Sequence, residues 1–141
     1  MTQIKDIQPQ EVFKIFDQML QIPRPSKHEE KIQEWAVNFG EKLGLETFKD
    51  EAGNVIIRKP ATPGMEDRKG VILQGHLDMV PQKNSDKKHD FETDPIEAYV
   101  DGDWVTAKGT TLGADNGIGA SSALAILATD KIKHGPVEVL L

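Results

Sequence analysis

The sequence predicts an α/β fold, a mixed sheet flanked by helices, and three observations carry that prediction. Apolar residues recur at helical spacing near the N-terminus. Short β-branched runs bounded by turn residues follow them. A glycine-rich loop then leads into a segment of small residues with helical character.

Taken in order, Pro9 opens the first helix, whose stripe is Val12, Phe13, Phe16, Met19 and Leu20, and Pro23 closes it. Ser26 followed by Glu29 is a capping-box pattern for a second helix. Its buried face is Ile32, Trp35, Ala36, Phe39 and Leu43, and Gly44 suits its stop. Residues 45–48 and 55–58 read as strands joined by the turn DEAGN, a hairpin pattern. The Pro/Gly-rich segment 59–70 is a loop. Residues 71–77, opening with Val71, Ile72 and Leu73, are expected to form an interior strand. A polar stretch, 81–95, precedes a short strand near residues 104–107. A helix over about residues 117–129 and a strand from Val137 complete the series. The run VEVLL at 137–141 wants burial on both faces, so we expect the chain to be a truncated part of a larger domain.

Composition narrows the partners. With 38% hydrophobic and 28% charged residues, disorder is not the default. The net charge of −6, without a Lys/Arg block, argues against nucleic acid and anionic membrane. There is no cysteine, which removes disulfide and thiol chemistry and permits the cytosol. The N-terminus lacks the apolar core of a signal peptide, and no apolar run approaches the ~20 residues of a membrane span.

Two polar constellations interrupt this framework. In VILQGHLDMV, residues 71–80, His76 and Asp78 are two apart on an extended segment and so share a face. They are either a self-satisfied polar pair or a metal ligand with the carboxylate that orients it. Their position at a strand's C-terminal end favours a site. In TLGADNGIG, residues 111–119, Asp115 sits in a glycine-flanked loop before a helix. There it is either a helix cap or a metal ligand. The loop does not follow the G-x-G-x-x-G pattern, and a carboxylate would repel a pyrophosphate, which disfavours nucleotide binding. A histidine with a carboxylate suits a divalent metal, most naturally zinc.

Longer segments make the pattern specific. IPRPSKHEE, LQGHLDMVPQKN, HDF with DPI, GTTLGADNGIG and the terminal HGP with EVLL occur in this order. Together they resemble the aminoacyl-histidine (Xaa-His) dipeptidases, two-zinc peptidases of the aminoacylase/carboxypeptidase group. The resemblance covers nearly all 141 residues. It implies a zinc-peptidase-like fold, with residues 1–141 the N-terminal part of the catalytic domain. It implies that His76 ligates one zinc, that Asp115 bridges two, and that Asp78 is the catalytic-site aspartate orienting His76. It also implies a cis peptide after Asp115, two Zn2+ per full-length subunit with Mn2+ or Co2+ as substitutes, a cytoplasmic protein and a homodimer formed through a lid domain. The implied reaction is hydrolysis of dipeptides such as carnosine-like Xaa-His substrates.

The family's adjacent glutamates, one of them the general base, lie past a strand like PVEVLL, so this chain alone is expected to be inactive. The competing expectation is a non-catalytic binding or scaffolding module that reuses the fold. A reading frame continuing past Leu141 into a glutamate pair would separate the two. The remaining polar residues are expected to be structural or solvated. His28 belongs to the start of the second helix, and His89 and His134 face solvent from loops. Tyr99 and Trp104 anchor the linker between the two motifs, and Lys87 and Lys88 lie in a solvated loop.

Overall fold

Helix α1 (Gln10–Leu20) starts directly after Pro9, as the stripe predicts, and buries Ile15, Phe16, Met19 and Leu20. The computed structural model describes residues 1–141, and a short 3-10 turn, Ile4–Asp6, precedes this helix. Helix α2 (Glu30–Lys42) begins later than the capping-box pattern implies. Glu29 occupies the cap position without a side-chain bond, and the Ser26 hydroxyl is engaged elsewhere, by Asp78. The Glu29 carboxylate accepts from the backbone N–H of Lys27 at 2.9 Å. Leu43, expected on the buried face, is exposed.

Strands β1 (Glu46–Lys49) and β2 (Val55–Lys59) form the expected antiparallel hairpin. Asp50 closes its turn, with Oδ1 accepting from the N–H of Ala52 and of Asn54, both at 2.9 Å. Strand β3 (Val71–Gln74), strands β4 (Ala98–Asp101) and β5 (Trp104–Ala107), helix α3 (Ala114–Ala128) and strand β6 (Val137–Leu140) follow. The sheet order is β1-β2-β6-β3, antiparallel except for the parallel pair β3 and β6. The sheet is therefore mixed, as expected.

Its main core joins Met19, Ile32, Ala36 and Leu124 of the helices to Val55, Ile57, Val137 and Val139 of the strands. Strand residues alternate faces, so Arg58 and Glu138 lie opposite Ile57 and Val139. On that outer face Arg58 bridges Glu46 and Glu138, each at 3.1 Å.

The expectation of an interior strand over residues 71–77 is corrected in two ways. The ladder stops at Gln74, and β3 lies at the sheet edge, paired with β6 alone. Val71 and Ile72 are 52% and 63% exposed, because no further strand or helix of the chain covers them. The apolar run predicts a demand for burial that these neighbours do not meet.

The hairpin of β4 and β5 is a separate two-stranded sheet, and β4 has no counterpart in the sequence reading. Tyr99 and Trp104 do not anchor it. Both point outward, and Trp104 is 77% exposed at the hairpin's turn. The residues that do seat the hairpin are Ala98, Val100, Val105 and Ala107, against a second cluster of Ile4, Phe16, Leu20, Met79 and Ile96. No helix is long and apolar enough to cross a membrane.

Candidate metal centre

Past Gln74 the chain stays extended for five residues, and its side chains alternate between core and solvent. Leu77 enters the main core and Met79 the second cluster, while His76 is outward and Asp78 half-buried. The Gly75 N–H donates to the Leu140 carbonyl at 3.0 Å, so the sheet fixes the segment up to His76. Beyond it, a parallel bridge between Pro25 and Met79 takes over. Met79 N–H donates to the Arg24 carbonyl at 3.0 Å, and Ser26 N–H donates to the Met79 carbonyl at 3.1 Å.

Asp115 arrives from the other side, at the start of α3. Asp115 and Asn116 have non-helical backbone, and the peptide joining them is cis, as the resemblance implies. The regular helix thus runs from about Gly117, the start expected from sequence. Asn116 wedges its side chain between Gly75 and Gly119, where a β-carbon on Gly119 would collide with it and one on Gly75 would press tightly against it.

The three residues singled out from sequence meet here. His76 Nδ1 lies 3.0 Å from Asp78 Oδ1, and His76 Nε2 lies 3.0 Å from Asp115 Oδ1. The second oxygen of Asp78 accepts the hydroxyl of Ser26. The Asp115 side chain is 96% exposed and that of His76 48%, so the pair is open to an incoming ion.

Charge follows from these contacts. Burial works against the imidazolium, but the hydrogen bonds to Asp115 and to Asp78 outweigh it and raise the His76 pKa above 6.5. The Ser26 hydroxyl, and then the charge and hydrogen bond of His76, outweigh desolvation and hold Asp78 below the usual carboxylate range.

The donor set fits a divalent metal. An ionised carboxylate only accepts, so His76 bonds both neighbours only with a proton on each nitrogen. A cation in place of the Nε2 proton keeps both contacts attractive. Two donors on one tetrahedral zinc at ~2.0 Å stand about 3.3 Å apart. The observed 3.0 Å between Nε2 and Oδ1 therefore needs to open by only about 0.3 Å. His76 and Asp115 offer two donors, and the structure gathers no cluster of three or more His, Cys, Asp or Glu around one point.

An open cleft of about 350 Å³, lined in part by Glu29, Asn54, Gln74, His76 and Asp78, adjoins the pair. A larger hollow of about 600 Å³ lies at the other end of β3, beside Val71, Arg58 and Glu138. Its lining brings no histidine to a carboxylate, whereas that of the smaller cleft holds His76 and Asp78.

Sequence reasoning missed Arg24, which is 1% exposed beneath the site. Its Nη1 donates to the Leu77 carbonyl at 2.9 Å and its Nη2 to the Gly113 carbonyl at 2.8 Å. Burial lowers its pKa to about 10, against the opposing charge of Asp78, so it stays charged at neutral pH. The available signal was an arginine held between Pro23 and Pro25.

The other histidines stay outside the site. His28 pairs with Glu92 at 3.2 Å. His89 and His134 do lie in loops but are half-buried rather than solvent-facing. His89 packs edge-on against Phe91, and His134 Nδ1 contacts the Gly135 carbonyl at 2.7 Å.

The chain is 55% identical, over all 141 residues, to the cytosol non-specific dipeptidase of Escherichia coli K12. It matches 99% of its length to the crystal structure of aminoacylhistidine dipeptidase from Vibrio alginolyticus, with 57% identity and a TM-score of 0.98. Along its whole length, the chain is similar to the aminoacylhistidine dipeptidases. It spans 29% of the length of each of these two relatives. An aminopeptidase from Bacillus cereus, 22% identical with a TM-score of 0.70 over 95% of the chain and 36% of its own, shares the fold. No protein-family model matches.

Proposed function

We propose that residues 1–141 are the N-terminal part of the catalytic domain of a two-zinc dipeptidase. The whole protein would hydrolyse unblocked dipeptides, with Xaa-His peptides among its substrates. One observation carries this reading: His76 and Asp115, 39 residues apart, meet at 3.0 Å on an open surface, with a second carboxylate behind the imidazole.

Each residue has a distinct task. Asp78 holds the Nδ1 proton, which fixes the tautomer, turns Nε2 outward and raises its basicity. His76 Nε2 would ligate one ion, and Asp115 would bridge it to the second. A bound zinc polarises a carbonyl oxygen and lowers the pKa of a bound water to about 7. Imidazole and carboxylate donors also accept Mn2+ or Co2+. The general base would come from sequence outside residues 1–141. A cytosolic location, in keeping with the name of the Escherichia coli relative, and a homodimer complete the proposal.

The test is hydrolysis of Ala-His and carnosine by the full-length gene product, with and without chelator. Activity lost on chelation, restored by zinc and abolished by His76→Ala supports the reading. Activity indifferent to chelator sinks it, and a folded full-length protein without hydrolysis favours a binding or scaffolding module. The 141-residue chain alone should show no turnover. Turnover that His76→Ala removes would refute that part.

A further inference from the structure

We infer that Arg24, together with Ser26, is the positioning element that sets the spacing of the two candidate ligands, an inference that rests on the metal reading above. The guanidinium holds one backbone carbonyl from each ligand-bearing segment. Leu77, its acceptor on one side, lies between His76 and Asp78, and Gly113, its acceptor on the other, lies two residues before Asp115. These acceptors are 53 and 89 residues away in sequence, and no other side chain donates to backbone carbonyls of both segments. A single planar group thereby ties the strand-end segment to the loop that enters α3.

Local sequence keeps that group aimed. Pro25 disfavours helical backbone at Arg24 and directs it into extended conformation. The extended segment then pairs with residue 79 through the two backbone bonds described above. Two residues on, Ser26 donates its hydroxyl to the Asp78 oxygen that His76 does not use. Residues 24–26 therefore support both sides of the imidazole, the Asp115 side through Gly113 and the Asp78 side through Ser26.

A purely structural role explains this poorly. The guanidinium is buried with Nε unpartnered, and no carboxylate lies within ion-pair distance of it. A buried charge of that kind is a weak source of stability compared with an apolar side chain of similar volume. Its fork is what an apolar residue or a lysine lacks. Lysine presents one compact ammonium and cannot reproduce two parallel, fixed N–H directions. Support of this type changes metal affinity by roughly 10–100-fold when removed.

The experiment has one readout without metal and one with it. In the metal-free protein, 15N NMR of His76 reports whether each ring nitrogen is hydrogen-bonded, and calorimetry reports zinc affinity. Arg24→Lys should lose the Nε2 signature and bind zinc roughly 10–100-fold more weakly. Leu124→Ala, which removes a core side chain nine residues along α3 from Asp115 and leaves every hydrogen bond of the clamp in place, should be destabilised yet keep both. If Arg24→Lys does not fold, Ser26→Ala carries the test, with the Nδ1 side altered and Ser26→Thr restoring it. Wild-type signatures and zinc affinity in folded Arg24→Lys or in Ser26→Ala would overturn the inference. These measurements use the full-length gene product: should its wild type bind no zinc, the metal reading falls, and the positioning role is decided by the His76 signatures of the metal-free variants.

Discussion

Replacing Gly113 with alanine perturbs the site from its backbone side, and the cost can be worked from two separate causes. Gly113 has φ +78°, a left-handed conformation that costs a residue bearing a β-carbon roughly 1–2 kcal/mol. The new β-carbon would also lie 2.6 Å from Arg24 Nη2 and 2.8 Å from Met79 Sδ. Both neighbours are buried, so neither can swing into solvent, and overpacking of this kind costs about 1–3 kcal/mol. The sum is about 2–5 kcal/mol. Gly44 supplies the control, since its φ is +71° and no atom lies within 4 Å of a β-carbon built there. Gly44→Ala should therefore cost only the conformational part, about 1–2 kcal/mol. Urea unfolding of the wild type and both variants, extrapolated linearly to water, measures the difference. Equal losses for the two variants would refute the claim that Arg24 and Met79 close around Gly113.

Four further outcomes are expected. His76 has a raised folded pKa, so its contribution is full below about 6.5 and fades as pH rises through the raised value. Urea midpoints of the metal-free protein should accordingly fall above pH 6.5, and His76→Gln should flatten that slope. Asp78 has the opposite sign: its depressed pKa makes its contribution present above about 3.8 and lost as pH falls through the folded value. Lys59→Met should destabilise by about 1–3 kcal/mol in chemical denaturation, because Nζ donates to the Ile126 and Thr129 carbonyls at 3.0 and 2.7 Å. A loss under half of the lower figure would show that solvent replaces those bonds freely. Ile57→Ala, at a fully buried strand position, should cost about 2–5 kcal/mol, read from the same curves.

The parts of the fold legible in sequence were those set by local periodicity. The stripe of α1, the hairpin of β1 and β2, and the helix from Gly117 all follow from spacing that the structure repeats. So does the shared aspect of His76 and Asp78, because alternation in an extended chain needs no knowledge of distant residues. What failed depended on distant partners. Ser26 and Glu29 have the spacing of a capping box, yet Asp78, 52 residues away, takes the serine hydroxyl. The run Val71, Ile72, Leu73 signals a strand but not which strands lie beside it, and β3 came out at an edge. Strand β4 alternates half-buried and exposed residues around a modest apolar content, too weak a pattern to separate from the polar stretch before it. Beyond its flanking prolines, nothing in the sequence singles out Arg24. Its role needed two carbonyls that no sequence pattern marks.

The clamp also bears on the order in which the molecule can be assembled. Its bonds span 53 and 89 residues, and the ligand pair spans 39, so apart from the local His76–Asp78 pair the contacts that shape the candidate centre are non-local. Closing such loops carries its entropic cost before the contact forms, which places these contacts late in folding. An emerging polypeptide therefore has no centre to offer an ion until residue 115 has been made and docked against the strand end. Zinc that binds only the finished arrangement selects for it by mass action, adding to stability in proportion to the logarithm of free zinc over its dissociation constant. The ion would act as a lock on a completed fold rather than as a seed for it.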